Sequence, residues 1–208
     1  MKAHTSETQG AMTPQLALEA LKNGNERFVS NLRANRDLNE QRQDTSTGQF
    51  PFATVLSCID SRVSSELIFD QGIGDIFSVR IAGNQVNEDI LGSMEFACKL
   101  AGTKLILVLG HTSCGAIKGA CDHARMGNLT HLIEKLEPAV DLVKSPEAED
   151  QRTSKNLEFV DEVAAKNVQL GLDRIRKESP ILAQMEADQD ILILGGMYDI
   201  KSGSVTIL

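Results

Sequence analysis

From Phe52 to the C-terminus the chain alternates two kinds of apolar pattern. Short runs at Phe52–Ser57, Ile76–Ile81, Leu105–Gly110 and Asp190–Gly196 are crowded with aliphatic residues and stop at polar residues or glycine. Such runs read as strands buried on both faces. Between them, apolar residues recur at three- and four-residue steps over Val63–Asp70, Glu88–Ala101, Gly115–His123, Leu129–Lys144 and Asn156–Glu178. In the last of these, Leu157, Val160, Val163, Ala164, Val168, Leu172 and Ile175 form one stripe of an amphipathic helix. Strands of this kind separated by helices predict an α/β fold: a single domain with a mostly parallel central sheet flanked by helices on both faces. Ser204–Leu208 is expected to add a short edge strand through the turn Asp199–Ser204.

The first quarter of the chain reads differently. Residues 1–12 carry no pattern and are expected to be a flexible tail, with residues 13–208 as the domain. Thr13-Pro14 marks a helix start, a capping hydroxyl followed by a residue whose missing N–H costs nothing in the first turn. That helix should run to about Asn31 and bury Ala17, Leu18, Leu21, Phe28 and Leu32. Gly24 inside it costs about 1 kcal/mol relative to alanine, which predicts a close backbone contact there. Ala34–Gln49 follows, sixteen residues with one large apolar side chain. A structureless connection of that length is unusual inside a compact domain, so residues 13–50 are expected to form a helical arm and extended connection that packs on a partner subunit.

Composition narrows the function classes. At 208 residues the chain buries a core without metal or disulfides to hold it, so any metal would serve chemistry. A net charge of −8, with no run of lysine or arginine, argues against nucleic acid or anionic membrane as a partner. No segment approaches the roughly 18–20 apolar residues of a membrane span, and the N-terminus lacks the apolar core of a signal peptide, so the expected location is cytoplasmic. Four cysteines are too few for a disulfide scaffold and should stay reduced there.

Two of the predicted strands end in soft donor atoms. The first runs into Cys58-Ile59-Asp60-Ser61-Arg62, and the third into His111-Thr112-Ser113-Cys114. Open α/β sheets bind ligands at the carboxyl ends of their strands, where the winding reverses. Cys58, His111 and Cys114 would leave one position of a tetrahedral zinc ion open, the arrangement of a catalytic site. A histidine and a cysteine three residues apart are weak evidence alone, since a half-buried cysteine is usually a small core residue. The joint occurrence at two strand ends, with Asp60 and Arg62 beside the first, strengthens the metal reading. A nucleophile and base pair at that spacing is a poorer fit, because such partners usually come from distant segments. Cys98 and Cys121 read as packing, and His4, His123 and His131 as surface or helix residues.

Cys-x-Asp-Ser-Arg followed by His-x-x-Cys-Gly resembles the β-class carbonic anhydrases. The similarity extends through Leu21–Phe28, Gly74–Asn84, Gly110–Ala120 and Gly195–Gly203, most of the chain. The resemblance implies a zinc enzyme, one Zn²⁺ per subunit on Cys58, His111 and Cys114, that interconverts carbon dioxide and bicarbonate by attack of zinc-bound hydroxide. It implies an Asp60–Arg62 dyad, in which Arg62 holds the carboxylate away from the metal while Asp60 orients the attacking oxygen. It implies a substrate pocket from Gln49, Phe77, Ala82, Phe96 and Gly115, with the two phenylalanines contributed across a homodimer or dimer-based oligomer whose N-terminal helices are exchanged. Two departures stand out: Ile81 replaces an asparagine common in the family, and Val55 stands where some members carry a tryptophan of an inhibitory bicarbonate pocket. Hydrolysis of carbonyl sulfide or carbon disulfide on the same scaffold, or a non-catalytic zinc or thiol sensor, are the competing readings.

Overall fold

The structure is a computed structural model that describes all residues 1–208. Its centre is a five-stranded sheet in the order β2-β1-β3-β4-β5, made of β1 (Ala53–Ser57), β2 (Ile76–Arg80), β3 (Leu105–His111), β4 (Leu192–Tyr198) and β5 (Val205–Ile207). The first four are parallel and β5 closes the edge antiparallel to β4. This is the fold class read from the apolar runs, with the strand positions shifted by at most two residues at either end. β1 and β3 are buried along their whole length, which is why their sequences show no alternation.

Successive side chains still take opposite faces. Leu56, Ile106, Val108 and Ile193 pack beneath α5 (Glu88–Glu95), α8 (Leu157–Glu178) and α9 (Pro180–Ala187). Ala53, Val55, Leu105, Leu107 and Leu109 face the other way, onto α2 (Pro14–Val29) and α4 (Ser65–Ile68). A third cluster, at the carboxyl end of the sheet, joins α6 (Gly115–Cys121), α7 (Leu129–Leu142) and the first half of α8. The stripe on α8 is buried as read, except that Leu157 is exposed. α5 continues into a π-helical turn over Phe96–Leu100.

The N-terminal quarter departs from expectation. Within residues 1–12, α1 (Ser6–Gly10) forms behind a reciprocal Thr5–Thr8 cap, and Gln9 Nε2 donates to the carbonyls of Pro51 and Ala101, so the segment is docked rather than a patternless tail. α2 does begin on a Thr13 cap that accepts from Leu16 N–H. On its own chain Ala17 and Leu21 are buried with Phe52, Phe69 and Leu107, whereas Leu32 lies past the helix and is exposed. Gly24 makes the predicted close approach, for a Cβ there would sit 1.8 Å from the Phe69 carbonyl oxygen.

The connection Ala34–Gln49 is not structureless either. It contains α3 (Leu38–Asp44), capped by Asp37, and Gln41 is buried with its Oε1 accepting from Ile73 N–H. Asp70 ties the segment down: its carboxylate accepts from Arg27 Nε at 2.5 Å, Arg36 Nη1 at 2.7 Å and Ala34 N–H at 3.0 Å. The connection is thus anchored on its own chain by polar contacts. α9 was not anticipated; Pro180 cannot continue α8. It is also the first residue of the next helix, whose cap is Ser179.

Candidate metal centre

Chain order β1, β2, β3 against spatial order β2-β1-β3 means that the winding reverses between β1 and β3. A crevice therefore opens at their carboxyl ends. The parallel register pairs Ser57 with Leu109, so Cys58 is level with Gly110 and only one step from His111 on the neighbouring strand. The Ser113 backbone turns left-handed at φ 56°, and Cys114 follows as the cap of α6. The result is a buried trio: donor atoms of Cys58, His111 and Cys114 all lie within 4.8 Å of one another.

Two of the donors are oriented by neighbours. His111 Nδ1 lies 3.0 Å from the Thr112 carbonyl, which assigns its proton to that nitrogen and leaves the Nε2 lone pair free. Nε2 is buried and has no hydrogen-bond partner in the protein. Gly83 N–H donates to Cys58 Sγ at 3.3 Å, from a residue whose φ of 66° favours glycine and where a Cβ would crowd Leu136. Asn167 Nδ2 in turn donates to the Gly83 carbonyl at 2.9 Å. Arg80 fixes the preceding loop, donating to the carbonyls of Cys58 at 3.0 Å and Asp60 at 2.7 Å.

The electrostatics ask for a cation. The adjacent Cys114 side chain first, with the Gly83 N–H, pulls the Cys58 thiol well below its ordinary value against its burial. The same contact and its own burial push Cys114 far upward, since two adjacent buried thiolates repel. A divalent ion would let both ionise. The donor set, two thiols and an unpartnered imidazole nitrogen within reach of a single ion at about 2.0–2.3 Å from each, fits zinc with one position to spare.

Asp60 lies next to the trio and not in it. Arg62 grips its carboxylate as a fork, Nε to Oδ1 at 2.9 Å and Nη2 to Oδ2 at 2.8 Å, while the Arg62 N–H adds a third bond to Oδ1 at 3.0 Å. The hydrogen bond from Arg62 holds this carboxyl well below the usual carboxylate range. Cys98 and Cys121 are buried packing residues, each pushed up to about 11 chiefly by burial.

The remaining predicted residues divide. Ala82 adjoins Gly83 in the loop that meets Cys58, and Gly115 is the exposed first residue of α6, where an added Cβ would touch nothing. Phe77 and Phe96 pair edge-to-face at 6.2 Å in a groove of about 540 Å³ on the β2 edge. Phe77 is level with Thr54, four residues before Cys58, so the groove is separated from the trio of its own chain. Gln49 is exposed at the end of the polar connection. Gly83, Asn167, Arg80 and Thr112 were not singled out from the sequence. Gly83 alone carried a signal, a glycine in the short turn that follows a strand.

A family model described as "Carbonic anhydrase" matches residues 53–205. A carbonic anhydrase of Mycolicibacterium smegmatis is 35% identical over 201 residues, covering 93% of this chain and 93% of that protein. Carbonic anhydrase 2 of Mycobacterium tuberculosis is 34% identical over 200 residues, covering 93% and 92%. Among solved structures, the β-carbonic anhydrase CafA of Aspergillus fumigatus superposes with a TM-score of 0.72 at 26% identity, covering 82% of this chain and 81% of that one.

Proposed function

The chain belongs to the carbonic anhydrase family, in its β class, and from that premise we propose that it hydrates carbon dioxide reversibly to bicarbonate and a proton at one zinc ion per subunit, held by Cys58, His111 and Cys114. As a member it is a carbonate dehydratase. The observation that carries the assignment of ligands is the buried, unpartnered His111 Nε2 converging with two thiols. When bound, zinc supplies Lewis acidity, making hydroxide available from water near neutral pH.

The protein's own groups do the rest. Asp60 Oδ1 has both lone pairs engaged by Arg62, whereas Oδ2 accepts only one bond and keeps one lone pair free. We assign that lone pair to the hydrogen of the attacking water, whose oxygen is thereby turned toward the carbon of CO₂. Arg62 keeps the carboxylate ionised and prevents it from swinging onto the ion, a task its planar fork performs and a lysine would perform poorly. The carbon–oxygen bond forms as one C=O π pair moves onto oxygen, and the proton released leaves through the Asp60 end of the crevice. CO₂ is apolar, so its pocket needs little beyond a dry wall. Ala82 and the Gly115 N–H are proposed to face it from the same chain. Gln49, Phe77 and Phe96 are proposed to face the site of a second copy in a homodimer or dimer-based oligomer, which accounts for the half-exposed Phe96. All four cysteines are unpaired, as a reducing cytoplasm would keep them, and we propose that compartment.

The test is stopped-flow CO₂ hydration with zinc quantified on the same sample. Wild type should carry about one zinc per chain and be active, while Cys58→Ser and His111→Ala should lose both. Activity without stoichiometric metal, or zinc-loaded protein without activity, would overturn the reading.

A further inference from the structure

The loop that joins two of the proposed ligands contains a strained residue, and one side chain holds it. Ser113 lies between His111 and Cys114 at φ 56°, a left-handed conformation that is strained for a non-glycine residue. Its N–H donates to Asp161 Oδ1 at 2.6 Å, across 48 residues of sequence. Asp161 is in none of the ion pairs of the molecule, and this backbone N–H is its hydrogen-bond partner. The helix that carries it is immobilised at the same place: Phe159, Val160, Val163 and Ala164 of α8 fill the apolar cluster that contains Cys58 and Cys114. The carboxylate is therefore referenced to the two sulfurs, and through Ser113 it sets the path from the imidazole to the second thiol.

We propose that Asp161 is a positioning residue of the metal centre, holding the His111–Cys114 loop in its left-handed turn so that both donors meet one ion. The proposal rests on the zinc ligation assigned above. It also states why a serine can occupy a position that its backbone angle would give to glycine: a charge-assisted hydrogen bond to the N–H offsets the strain.

The experiment uses purified full-length protein, loaded with zinc and separately with Co²⁺. Zinc affinity is read by competition with a chromophoric chelator, donor geometry by the ligand-field absorption of the Co²⁺ form, and folding by the melting temperature of the metal-free form. Asp161→Ala should weaken zinc binding about 10–100-fold and alter the Co²⁺ spectrum, with a nearly unchanged metal-free melt. Asp161→Asn, whose amide oxygen still accepts from Ser113 N–H, should recover most of the affinity. Adding Ser113→Gly to Asp161→Ala should recover it by another route, because glycine adopts this angle without strain. Zinc affinity of Asp161→Ala within about twofold of wild type, or no recovery by Ser113→Gly, overturns the proposal. If Asp161→Ala alone does not fold, the double variant decides: folded and zinc-binding supports positioning, unfolded overturns it. Wild type that binds zinc normally beside an unaffected Asp161→Ala sinks only this inference, whereas wild type without zinc sinks the ligand assignment as well.

Discussion

Replacing Arg62 by alanine separates the dyad from the fold. Two side-chain hydrogen bonds to the Asp60 carboxylate disappear, at 2.9 and 2.8 Å, while the backbone N–H of residue 62 continues to hold Oδ1. Fully buried, each charge-assisted bond would be worth about 1.5–3 kcal/mol. The Arg62 side chain is 51% exposed, however, and solvent screening reduces the fork as a whole to about 1–2 kcal/mol. At 1.4 kcal/mol per factor of ten, the ratio of held to released carboxylate falls about 5–30-fold. If only the held carboxylate orients the attacking oxygen, kcat/KM for CO₂ hydration should fall by about the same factor at unchanged zinc content. Arg62→Lys, restoring one donor, should lie between the two. Global stability should change little, with a melting temperature lowered by no more than about 2–4 °C per kcal/mol lost. The measurement is stopped-flow hydration on samples matched for zinc. Activity of Arg62→Ala within twofold of wild type would remove the fork from the mechanism, and a collapse in melting temperature would make the effect one of folding.

Three further outcomes follow from other contacts. Gly24→Ala should destabilise by about 1–3 kcal/mol in denaturant unfolding, since its Cβ would meet the Phe69 carbonyl at 1.8 Å; a neutral substitution would mean that α2 does not pack there. Gly83→Ala should cost roughly 1–2 kcal/mol of stability from its left-handed φ, and should also weaken zinc binding in chelator competition by moving the N–H that faces Cys58 Sγ. Asp70 supplies a pH dependence. Burial opposes its charge, but hydrogen bonds from Arg27, the Ala34 N–H and Arg36 outweigh that and hold its carboxyl below the ordinary value. Because the folded value is depressed, its contribution is complete above the unfolded pKa of about 3.9 and is lost as pH falls through the lower folded one. The stability gap between wild type and Asp70→Asn should therefore be flat from about pH 5 to 7 and narrow below about pH 4. A gap that widens on acidification would refute the sign.

Strands, most helices and the three proposed ligands were legible because the information they need is local. Unbroken aliphatic runs declare strands buried on both faces, and Cys58 and His111 stand where two such runs stop. Once β1 and β3 are neighbours in a parallel sheet, register alone brings those ends together. The Asp60–Arg62 fork was readable for the same reason, being made by residues two apart in one loop.

What only the tertiary structure decided concerns segments whose partners are remote. Polar residues gave no hint that Ala34–Gln49 is tied to its own chain, because the tie is Asp70, far downstream, and not an apolar face. Phe77 and Phe96 were placed in the substrate pocket by resemblance, but Phe77 is level with Thr54, four residues before Cys58, and pairs with Phe96 in a groove of their own. Asp161 and Asn167 look like ordinary polar positions on an amphipathic helix, and meet the loops beside Cys58 and Cys114 only because α8 packs its apolar stripe against them. A side chain's pattern in the chain reports which face it takes; what that face meets is set by the packing of every other element.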